Sequence, residues 1–304
     1  MTAALPRDAS PPMRRESVAG LEWLVLPQAP PWLFLAFTTR RGGVSEGPWA
    51  ELNLGRSTGD EPARVEANRQ RVLEAAGPGW RWVAMPRMVH GADVSVVRAE
   101  APWPPGEAPA ADALVTTDPG VLLWATFADC VPVFLWGEAE PSPATAGAAP
   151  RDGAGAAPGP RRGVALAHAG WRGTLAGVAP AAARTLARAM GVGTHRLNAL
   201  IGPSIGPCCF EVDEPVLQRL ARRLPWAEEV LAPSPRGAGY RHWDLWETNR
   251  RLLVEAGLDP RRIAVAALCT ACDTASFFSH RASGGRTGRM AGLIGIRPGI
   301  RPGG

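Results

Sequence analysis

ADALVTTDPGVLLWATFADCVPVFLW, residues 111–136, contains three apolar runs that are separated only by short polar turns. The runs at 112–117, 121–127 and 131–136 have the lengths of β-strands, and their continuous apolar character is typical of strands buried on both faces. A further run, GVALAH at 163–168, has the same character. These runs predict buried strands of a sheet that other elements cover.

Strand and helix signals alternate on both sides of this stretch. Further strand-like runs lie at 32–39, 93–98 and 263–268, and helical segments are predicted at 62–77, 173–190, 213–224 and 244–257. Asp244 and Glu247 have capping-box spacing, Asp213 is placed as a helix cap, and Pro180 should perturb the middle of its helix. The mixture predicts a single α+β (α/β-like) domain over residues 21–298, with mixed β-sheets flanked by helices.

Two segments lack the apolar residues that a folded element needs. Residues 1–20 are rich in proline, arginine and small residues, and we expect a disordered tail there. Residues 138–162 are almost entirely alanine, proline, glycine and charged residues, so burial cannot offset the entropy of ordering them. Because strand-like runs flank this segment, we expect a flexible insertion within one domain.

The composition is that of a globular protein whose basic residues are all arginine. Of the 304 residues 46% are hydrophobic, and the net charge is +5. The arginines are scattered, without the basic face of nucleic-acid-binding proteins, and no run approaches the ~20 apolar residues that span a bilayer. Five cysteines, an odd number, do not suggest a disulfide framework. We therefore expect a reduced, cytoplasmic protein that binds neither nucleic acid nor membrane.

Two histidines and one cysteine occupy unusual positions. His90 in MVHGAD and His168 in ALAHAGWRG lie beside small residues, and Cys130 in TFADCVPVF lies at a break between two apolar runs. A buried imidazole needs partners for both ring nitrogens. The three residues are too far apart to form a local metal motif. The residues alone therefore leave two interpretations open: a metal site, or satisfied core histidines beside an inert thiol.

Seven motifs follow one another along residues 20–296. They are FTTRRGGVSEGPWAELNLG (37–55), EANR (66–69), VHG (89–91), ADALVTTDPGVLLWATFADCVPV (111–133), GVALAHAGWRG (163–173), IGPSIGPCCFEV (201–212) and FFSHRASGGRTGRMAG (277–292). In content and order they resemble the YfiH family, also known as laccase-domain or polyphenol-oxidase-type proteins. HAGWRG together with ADC is the most specific pair.

The resemblance implies that His90, Cys130 and His168 bind Zn²⁺, with Cu²⁺ as an alternative metal. Two neutral imidazoles and one thiolate suit Zn²⁺, and three protein ligands leave a fourth tetrahedral position open for water or substrate. With one thiolate the centre remains a useful Lewis acid. Asp129, beside Cys130, is a candidate for orienting a ligand or acting as a base, and a turn cap is the alternative.

Arginines are the candidates for anion binding. The resemblance implies that Arg40, in TTRRGG, helps to hold substrate or phosphate. Arg172, in GWRG, is a second candidate for an anionic substrate, and a salt bridge at a helix start is its alternative. Arg281, Arg286 and Arg289 form a glycine-rich basic loop that suits either an anion or the protein surface.

The resemblance implies an enzyme acting on nucleoside and phosphate. The implied reactions are phosphorolysis of adenosine, inosine, guanosine and methylthioadenosine, and hydrolytic deamination of adenosine. A copper phenol oxidase is a weaker alternative, because five isolated histidines are too few for a multicopper cluster. A hydrolase with Cys130 as nucleophile and His168 as base, including a peptidoglycan-precursor editing factor, competes for the same residues. A binding module without activity would leave an open metal site unexplained.

The remaining cysteines offer weaker signals. Cys208 and Cys209 are adjacent, and adjacent cysteines rarely bind one metal together, so we expect packing. Cys269 and Cys272 form CTAC, spaced like a redox or zinc pair. Because no second CxxC exists in the chain, the sequence argues against a structural zinc and for incidental thiols.

Overall fold

The computed structural model describes residues 12–100, 103, 107–140, 160–237 and 239–299. The strands are β1 (Arg14–Val18), β2 (Leu21–Val25), β3 (Leu33–Thr38), β4 (Trp82–Ala84), β5 (Val94–Val96), β6 (Ala113–Thr116), β7 (Val121–Phe127), β8 (Val131–Ala139), β9 (Arg161–Ala169), β10 (Asn198–Ile201), β11 (Glu211–Asp213), β12 (Leu231–Pro233), β13 (Tyr240–Trp243), β14 (Ile263–Val265) and β15 (Met290–Ile296). The helices are α1 (Pro62–Ala76), α2 (Trp171–Ala176), α3 (Val178–Met190), α4 (Glu214–Arg223) and α5 (Leu245–Glu255). None of these described helices is both long and apolar enough to cross a membrane.

Two six-stranded sheets form the framework. The first has the order β1-β2-β3-β15-β7-β4 and the second the order β14-β10-β8-β9-β6-β5. Most neighbouring strands are antiparallel, whereas β4–β7, β5–β6 and β10–β14 are parallel pairs. A small third sheet has the order β11-β13-β12. The predicted fold, one domain of mixed sheets flanked by helices, is confirmed.

Hydrophobic cores lie between the layers. Between the two large sheets, Phe37 and Phe127 of the first pack with Phe134 and Leu166 of the second. The outer face of the second sheet is covered by α3, and the outer face of the first by α1. Because β7, β8 and β9 are buried on both faces, their sequences are continuously apolar.

The segment predicted as one helix over 173–190 is two helices. They meet at Gly177, whose φ of 84° lies in the left-handed region that favours glycine. Pro180 lies in the first turn of α3, where its missing N–H removes no helical hydrogen bond. The expectation that Pro180 perturbs the middle of a helix was therefore wrong.

The two predicted helix caps differ. The Asp244 carboxylate accepts a hydrogen bond from the backbone N–H of Glu247 at 2.9 Å, so that cap is confirmed. Asp213 is the N-cap residue of α4, as predicted, but its side chain makes no cap hydrogen bond. The first turn of α4 contains proline, which needs no acceptor for its nitrogen.

Part of the expected disordered tail, residues 1–20, is a strand. β1 forms a hairpin with β2, Met13 is buried, and Arg15 donates hydrogen bonds to Glu22 and Ser276. These contacts offset the conformational entropy lost on ordering the segment. From the composition alone, we had expected that entropy to keep the segment disordered. Residues 1–11 lie outside the described residues.

Strands also enter both ends of the expected insertion, 138–162. β8 continues through Ala139 and β9 begins at Arg161, with Glu138 opposite Arg162 in the antiparallel ladder. Arg162 donates a hydrogen bond to Glu138 at 2.8 Å, so a cross-strand ion pair supports this polar end. Residues 141–159 lie outside the described residues.

Candidate metal centre and active site

His90, Cys130 and His168 come together at one end of the second sheet. His90 lies in the loop between β4 and β5, Cys130 in the turn between β7 and β8, and His168 near the end of β9. β8 and β9 are antiparallel with Pro132 opposite His168, which brings Cys130 beside that histidine. Strand pairing therefore joins residues that are far apart in the sequence.

We call His90, Cys130 and His168 the three-ligand cluster. One potential ligand atom from each residue lies within 4.8 Å of the others, and the two imidazole ring centroids are 5.1 Å apart. His168 is buried, Cys130 is half-buried and His90 is exposed. The cluster is thus anchored in the sheet on one side and accessible from the side of His90.

Asp112, immediately before β6, organises both histidines. Its buried carboxylate accepts hydrogen bonds from the backbone N–H groups of Val89, His90 and Gly91 at 3.1, 2.9 and 2.7 Å. It also lies 3.1 Å from Nδ1 of His168, which leaves Nε2 of that ring available to a metal. Burial raises the pKa of Asp112, but these hydrogen bonds outweigh it and the pKa lies below its ordinary value.

The backbone around the cluster is specialised. A Cβ at Gly170, between β9 and α2, would lie 2.7 Å from Sγ of Cys130 and 3.7 Å from Cδ2 of His90. Glycine therefore leaves room where the ligands converge. His90 and Asp129 have φ values of 61° and 83°, which are uncommon for residues with a side chain. Such backbone strain concentrates at functional sites.

Proton affinities in the cluster favour the thiolate form of Cys130. Burial raises the pKa of the Cys130 thiol, but the charge of His168 and hydrogen bonds from both histidines bring it down to about 6. Burial lowers the pKa of His168, whereas the Cys130 thiolate and Asp112 raise it to about 9. In the absence of a metal, a thiolate–imidazolium pair is therefore favoured, and a thiolate is the form of cysteine that binds metals.

Asp129 fixes the turn that carries Cys130. Its Oδ1 accepts a hydrogen bond from Thr270 Oγ1 and its Oδ2 from the backbone N–H of Arg281, both at 2.7 Å. Its own carbonyl accepts from the N–H of Ile205 at 3.0 Å. With both carboxylate oxygens engaged, Asp129 is better suited to positioning Cys130 than to removing a proton from substrate.

The two arginines singled out in the sequence have different surroundings. Arg40 is half-buried; its Nε and Nη1 donate to the carbonyls of Ala50 and Thr274 at 2.7 and 3.0 Å, and its guanidinium lies 4.5 Å from the Phe278 ring centroid. Burial lowers the pKa of Arg40 below its ordinary value. Arg172 is exposed at the start of α2 and stacks on its neighbour Trp171. It forms no salt bridge with the described residues, so the alternative of a helix-start ion pair is not realised there.

Arg289 belongs to the glycine-rich basic loop for which the sequence left anion binding and surface charge open, and its surroundings favour anion binding. Burial lowers its pKa, and the negative charges of Cys130 and Asp129 partly offset that effect. Its backbone N–H donates to Oδ1 of Asn53 at 2.9 Å, and its carbonyl accepts from the N–H of Leu54 at 3.0 Å. Its Nη1 donates to the carbonyls of Thr287 and Gly288 at 3.1 and 2.9 Å, and a partly buried guanidinium of this kind is a candidate for binding an anion through its remaining N–H groups. The NLG motif and the glycine-rich basic loop are thereby held together.

The other four cysteines are also close together, contrary to the expectation of separate, incidental thiols. Their Sγ atoms all lie within 4.8 Å of one another, and we call Cys208, Cys209, Cys269 and Cys272 the four-cysteine cluster. Cys208 and Cys272 are exposed, and Cys209 and Cys269 are half-buried. Sequence spacing did not reveal this arrangement because the two pairs lie on different loops.

A surface cavity of about 630 Å³ lies elsewhere, between α2, α3 and α5. Its lining contains no histidine or cysteine. Reactive and ligating side chains, and not cavity size, therefore identify the candidate site in the part of the chain that the structure describes.

Comparison with known proteins gives consistent matches. A family model described as "Multi-copper polyphenol oxidoreductase laccase" matches residues 34–149 and 158–297. The chain is 38% identical over 277 residues to purine nucleoside phosphorylase YlmD of Geobacillus stearothermophilus, covering 88% of this chain and 93% of the relative. It is 32% identical over 260 residues to adenosine deaminase RL5 of an unknown prokaryotic organism, covering 84% and 90%. The crystal structure of Bacillus licheniformis hypothetical protein YfiH superposes with a TM-score of 0.77 at 32% identity, covering 94% of this chain and 99% of the other.

Proposed function

The chain belongs to the YfiH family of laccase-type proteins, and on that basis we propose that it is a zinc-dependent purine nucleoside phosphorylase that also deaminates adenosine. Relatives with each activity in their names match most of its length. The observation that carries the proposal is the convergence of two imidazoles and one thiolate in a cluster that is accessible from one side.

The residues of the three-ligand cluster fit Zn²⁺. Their donor atoms are close enough to share one ion, Gly170 leaves space beside Cys130, and Asp112 faces Nδ1 of His168 so that Nε2 can bind. When bound there, Zn²⁺ supplies Lewis acidity and lowers the pKa of a coordinated water towards about 7. Two nitrogens and one sulfur leave a fourth position for that water or for substrate.

Phosphorolysis requires the protein to bind phosphate beside a ribose that becomes cationic in the transition state. The bond between the purine nitrogen and C1′ breaks, a phosphate oxygen bonds to C1′, and the purine leaves with a proton. We assign phosphate binding to Arg289 with Arg40, because a planar guanidinium pairs two phosphate oxygens at once. Arg172, exposed at the start of α2, supplies positive charge at the rim.

Deamination requires C6 of the adenine ring to approach the three-ligand cluster. A water oxygen bonds to C6 of adenine, and the amino group leaves as ammonia after taking up a proton. The exposed side of His90 gives the purine ring access to the cluster. Asp112 keeps the loop of His90 in place through backbone hydrogen bonds, and Asp129 does the same for the turn of Cys130.

The proposal is tested with a panel of adenosine, inosine, guanosine and methylthioadenosine, assayed with and without phosphate. We expect release of hypoxanthine from inosine that requires phosphate, and release of ammonia from adenosine that does not. Both activities should be lost in His90→Ala. The matched control is His195→Ala, because His195 is exposed on a short turn away from the cluster.

The result must be read together with metal content. Zinc-loaded wild-type protein that turns over none of these nucleosides would falsify the proposal. Activity that persists in His90→Ala at the level of His195→Ala would show that the cluster is not the site of the chemistry. Replacing Zn²⁺ by Cu²⁺ in stripped protein tests metal identity, since Cu²⁺ binds mixed nitrogen and sulfur sites more tightly.

A hydrolase with Cys130 as nucleophile is a second candidate, because of one specific arrangement. Asp112, His168 and Cys130 form a chain in which the carboxylate faces the imidazole and the imidazole lowers the pKa of the thiol to about 6. This is the order of groups in a cysteine–histidine–acid triad. Metal analysis separates the two candidates, because a zinc-bound thiolate is a poor nucleophile. Loss of one Zn²⁺ per chain in Cys130→Ala, relative to the wild type, favours the first.

A further inference from the structure

The four-cysteine cluster joins two loops beside the active-site turn. Cys208 and Cys209 lie in a tight turn in which the N–H groups of Cys209 and Phe210 both donate to the carbonyl of Gly206. Cys269 and Cys272 lie on the loop after β14, which pairs with the first loop through a bridge between Ser204 and Cys269.

The sulfur geometry suits one tetrahedral ion. Sγ of Cys272 lies 3.4 Å from Sγ of Cys208 and also 3.4 Å from Sγ of Cys209. Zinc–sulfur bonds of about 2.3 Å in a tetrahedron place sulfurs about 3.8 Å apart. The backbone N–H of Gly206 donates to Sγ of Cys269 at 3.2 Å, a bond that stabilises a thiolate. The cluster is therefore close to a metal-binding arrangement without rearrangement of its loops.

Packing and disulfide formation account less well for this cluster. Two of its thiols are exposed, so apolar burial is not what gathers them. Because Cys272 is equidistant from Cys208 and Cys209, the arrangement favours no single disulfide pair. A shared cation accounts for all four sulfurs at once, because a tetrahedral ion can bind one sulfur from each of the four cysteines.

We propose that the four-cysteine cluster binds a second Zn²⁺ in a structural site that is separate from the three-ligand cluster. Four thiolates close the coordination sphere, which is the pattern of structural and not catalytic zinc. The guanidinium of Arg281 donates to the carbonyls of Cys209 and Glu211 at 3.3 and 2.9 Å, which places positive charge beside the anionic site.

The role of this zinc is to hold the residues that position Asp129. Thr270 follows Cys269 directly and donates its hydroxyl to Oδ1 of Asp129. Arg281, bound to the carbonyl of Cys209, donates its backbone N–H to Oδ2. Both oxygens of Asp129 are thus bound by residues that the four-cysteine cluster fixes. Asp129 in turn precedes Cys130, so the zinc supports the turn without contacting substrate.

Elemental analysis of full-length protein, purified without chelator and with a thiol reductant present, tests the proposal. We expect two Zn²⁺ per chain in the wild type, one in Cys130→Ala and one in Cys272→Ser. Cys130→Ala is the matched control, because it removes a cysteine from the other cluster. Cys272 is chosen because it is exposed, so replacing it changes packing little. A second measurement is the melting temperature, which should fall in Cys272→Ser and should rise less on addition of Zn²⁺ than that of the wild type.

A measurement with Cd²⁺ keeps the test decisive if Cys272→Ser does not fold. The chain has five cysteines, so in Cys130→Ala every thiolate-to-Cd²⁺ charge-transfer band must come from the four-cysteine cluster. Persistence of a strong band, at one Cd²⁺ per chain, supports the proposal. A Cys130→Ala protein that binds no Zn²⁺ and shows no such band overturns it. So does an intact mass that reveals a disulfide within the cluster under these reducing conditions.

Discussion

Asp112→Asn is the substitution that probes the proposed metal centre most directly. It keeps the size of the side chain and removes its charge and one acceptor oxygen. In the wild type, Oδ2 accepts from the N–H groups of Val89 and Gly91, and Oδ1 accepts from the N–H of His90 and faces Nδ1 of His168. Whichever way the asparagine amide turns, its NH₂ group faces two donors that had an acceptor before.

The size of the effect follows from these contacts. Hydrogen bonds to a charged group contribute about 1.5–3 kcal/mol each, so two lost bonds cost up to about 3–6 kcal/mol of unfolding free energy before the loop relaxes. Loss of the partner that orients a metal-bound histidine typically lowers metal affinity by about 10- to 100-fold. We therefore expect weaker zinc binding together with a destabilised apo-protein.

Zinc affinity is measured by competition with a chromophoric chelator, and stability by urea unfolding of the chelated protein. The control is Asp93→Asn, since Asp93 is exposed and its side chain makes no hydrogen bond to the described residues. If Asp112→Asn is fully folded under the assay conditions and its zinc affinity is unchanged, the role assigned to this carboxylate is refuted. A loss of stability equal to that of Asp93→Asn would refute the account of the loop.

Three further predictions concern the same site. In chelated protein, the stability contribution of Cys130, whose pKa is lowered from 9.0 to about 6, is lost as pH falls from 9 to 6, and that of His168, whose pKa is raised from 6.5 to about 9, is lost as pH rises from 6.5 to 9. These two slopes oppose each other, so the free energy of unfolding should change little between about pH 6.5 and pH 9. Urea unfolding across this range checks this, and a wild-type slope as steep as that of Cys130→Ala, which keeps only the His168 contribution, contradicts it. Gly170→Ala places a Cβ 2.7 Å from Sγ of Cys130, and we expect it to weaken zinc binding at least about tenfold. The control is Gly239→Ala, where a Cβ meets nothing within 4 Å and zinc binding should not change. Equal zinc affinities of the two variants in a chelator competition would argue against the close approach at Gly170. Arg289→Met should raise the KM for phosphate about 10- to 100-fold and leave deamination of adenosine unchanged. The control is Arg286→Met, because Arg286 is exposed. Equal losses of phosphorolysis and deamination in Arg289→Met would assign Arg289 a structural role.

The central strands could be predicted because their burial on both faces produces a continuous apolar run in the local sequence. Each predicted strand-like run overlaps a strand of the structure, from β3 near the start to β14. Strands covered on both faces need apolar residues at every position, and β7 and β8 show this pattern without interruption. The helix at 62–77 was likewise placed to within one residue, because it ends at Gly77, whose φ is 87°.

β15 was missed although it lies in the centre of the first sheet, between β3 and β7. Its apolar run is interrupted by Gly292 and Gly295, which lower strand propensity. The reason for these glycines is tertiary: a Cβ at Gly292 would lie 3.0 Å from both Phe127 and Phe134. Close packing of the two sheets requires glycine there, and no local pattern reveals that requirement.

The candidate site was only partly predictable for a similar reason. Family motifs pointed to the ligands, but Asp112 was not singled out, because its partners are backbone N–H groups of a distant loop. The ADALVTT motif does indicate the importance of Asp112, because this charged residue directly precedes an apolar strand. A buried carboxylate needs several donors, so an acidic residue at such a position is a reasonable marker of an organised loop.

The turn between β7 and β8 connects the two clusters. Cys130 belongs to the three-ligand cluster, while the preceding Asp129 is bound by Thr270 and Arg281, which the four-cysteine cluster holds. Asp129 has a φ of 83°, a conformation that surrounding contacts must maintain. If the contacts behind it loosen, the strain is relieved by moving the turn, and Cys130 moves with it. On the proposal of a second Zn²⁺, loss of the four-cysteine cluster in Cys272→Ser should therefore lower the zinc affinity of the three-ligand cluster, which competition with a chromophoric chelator measures.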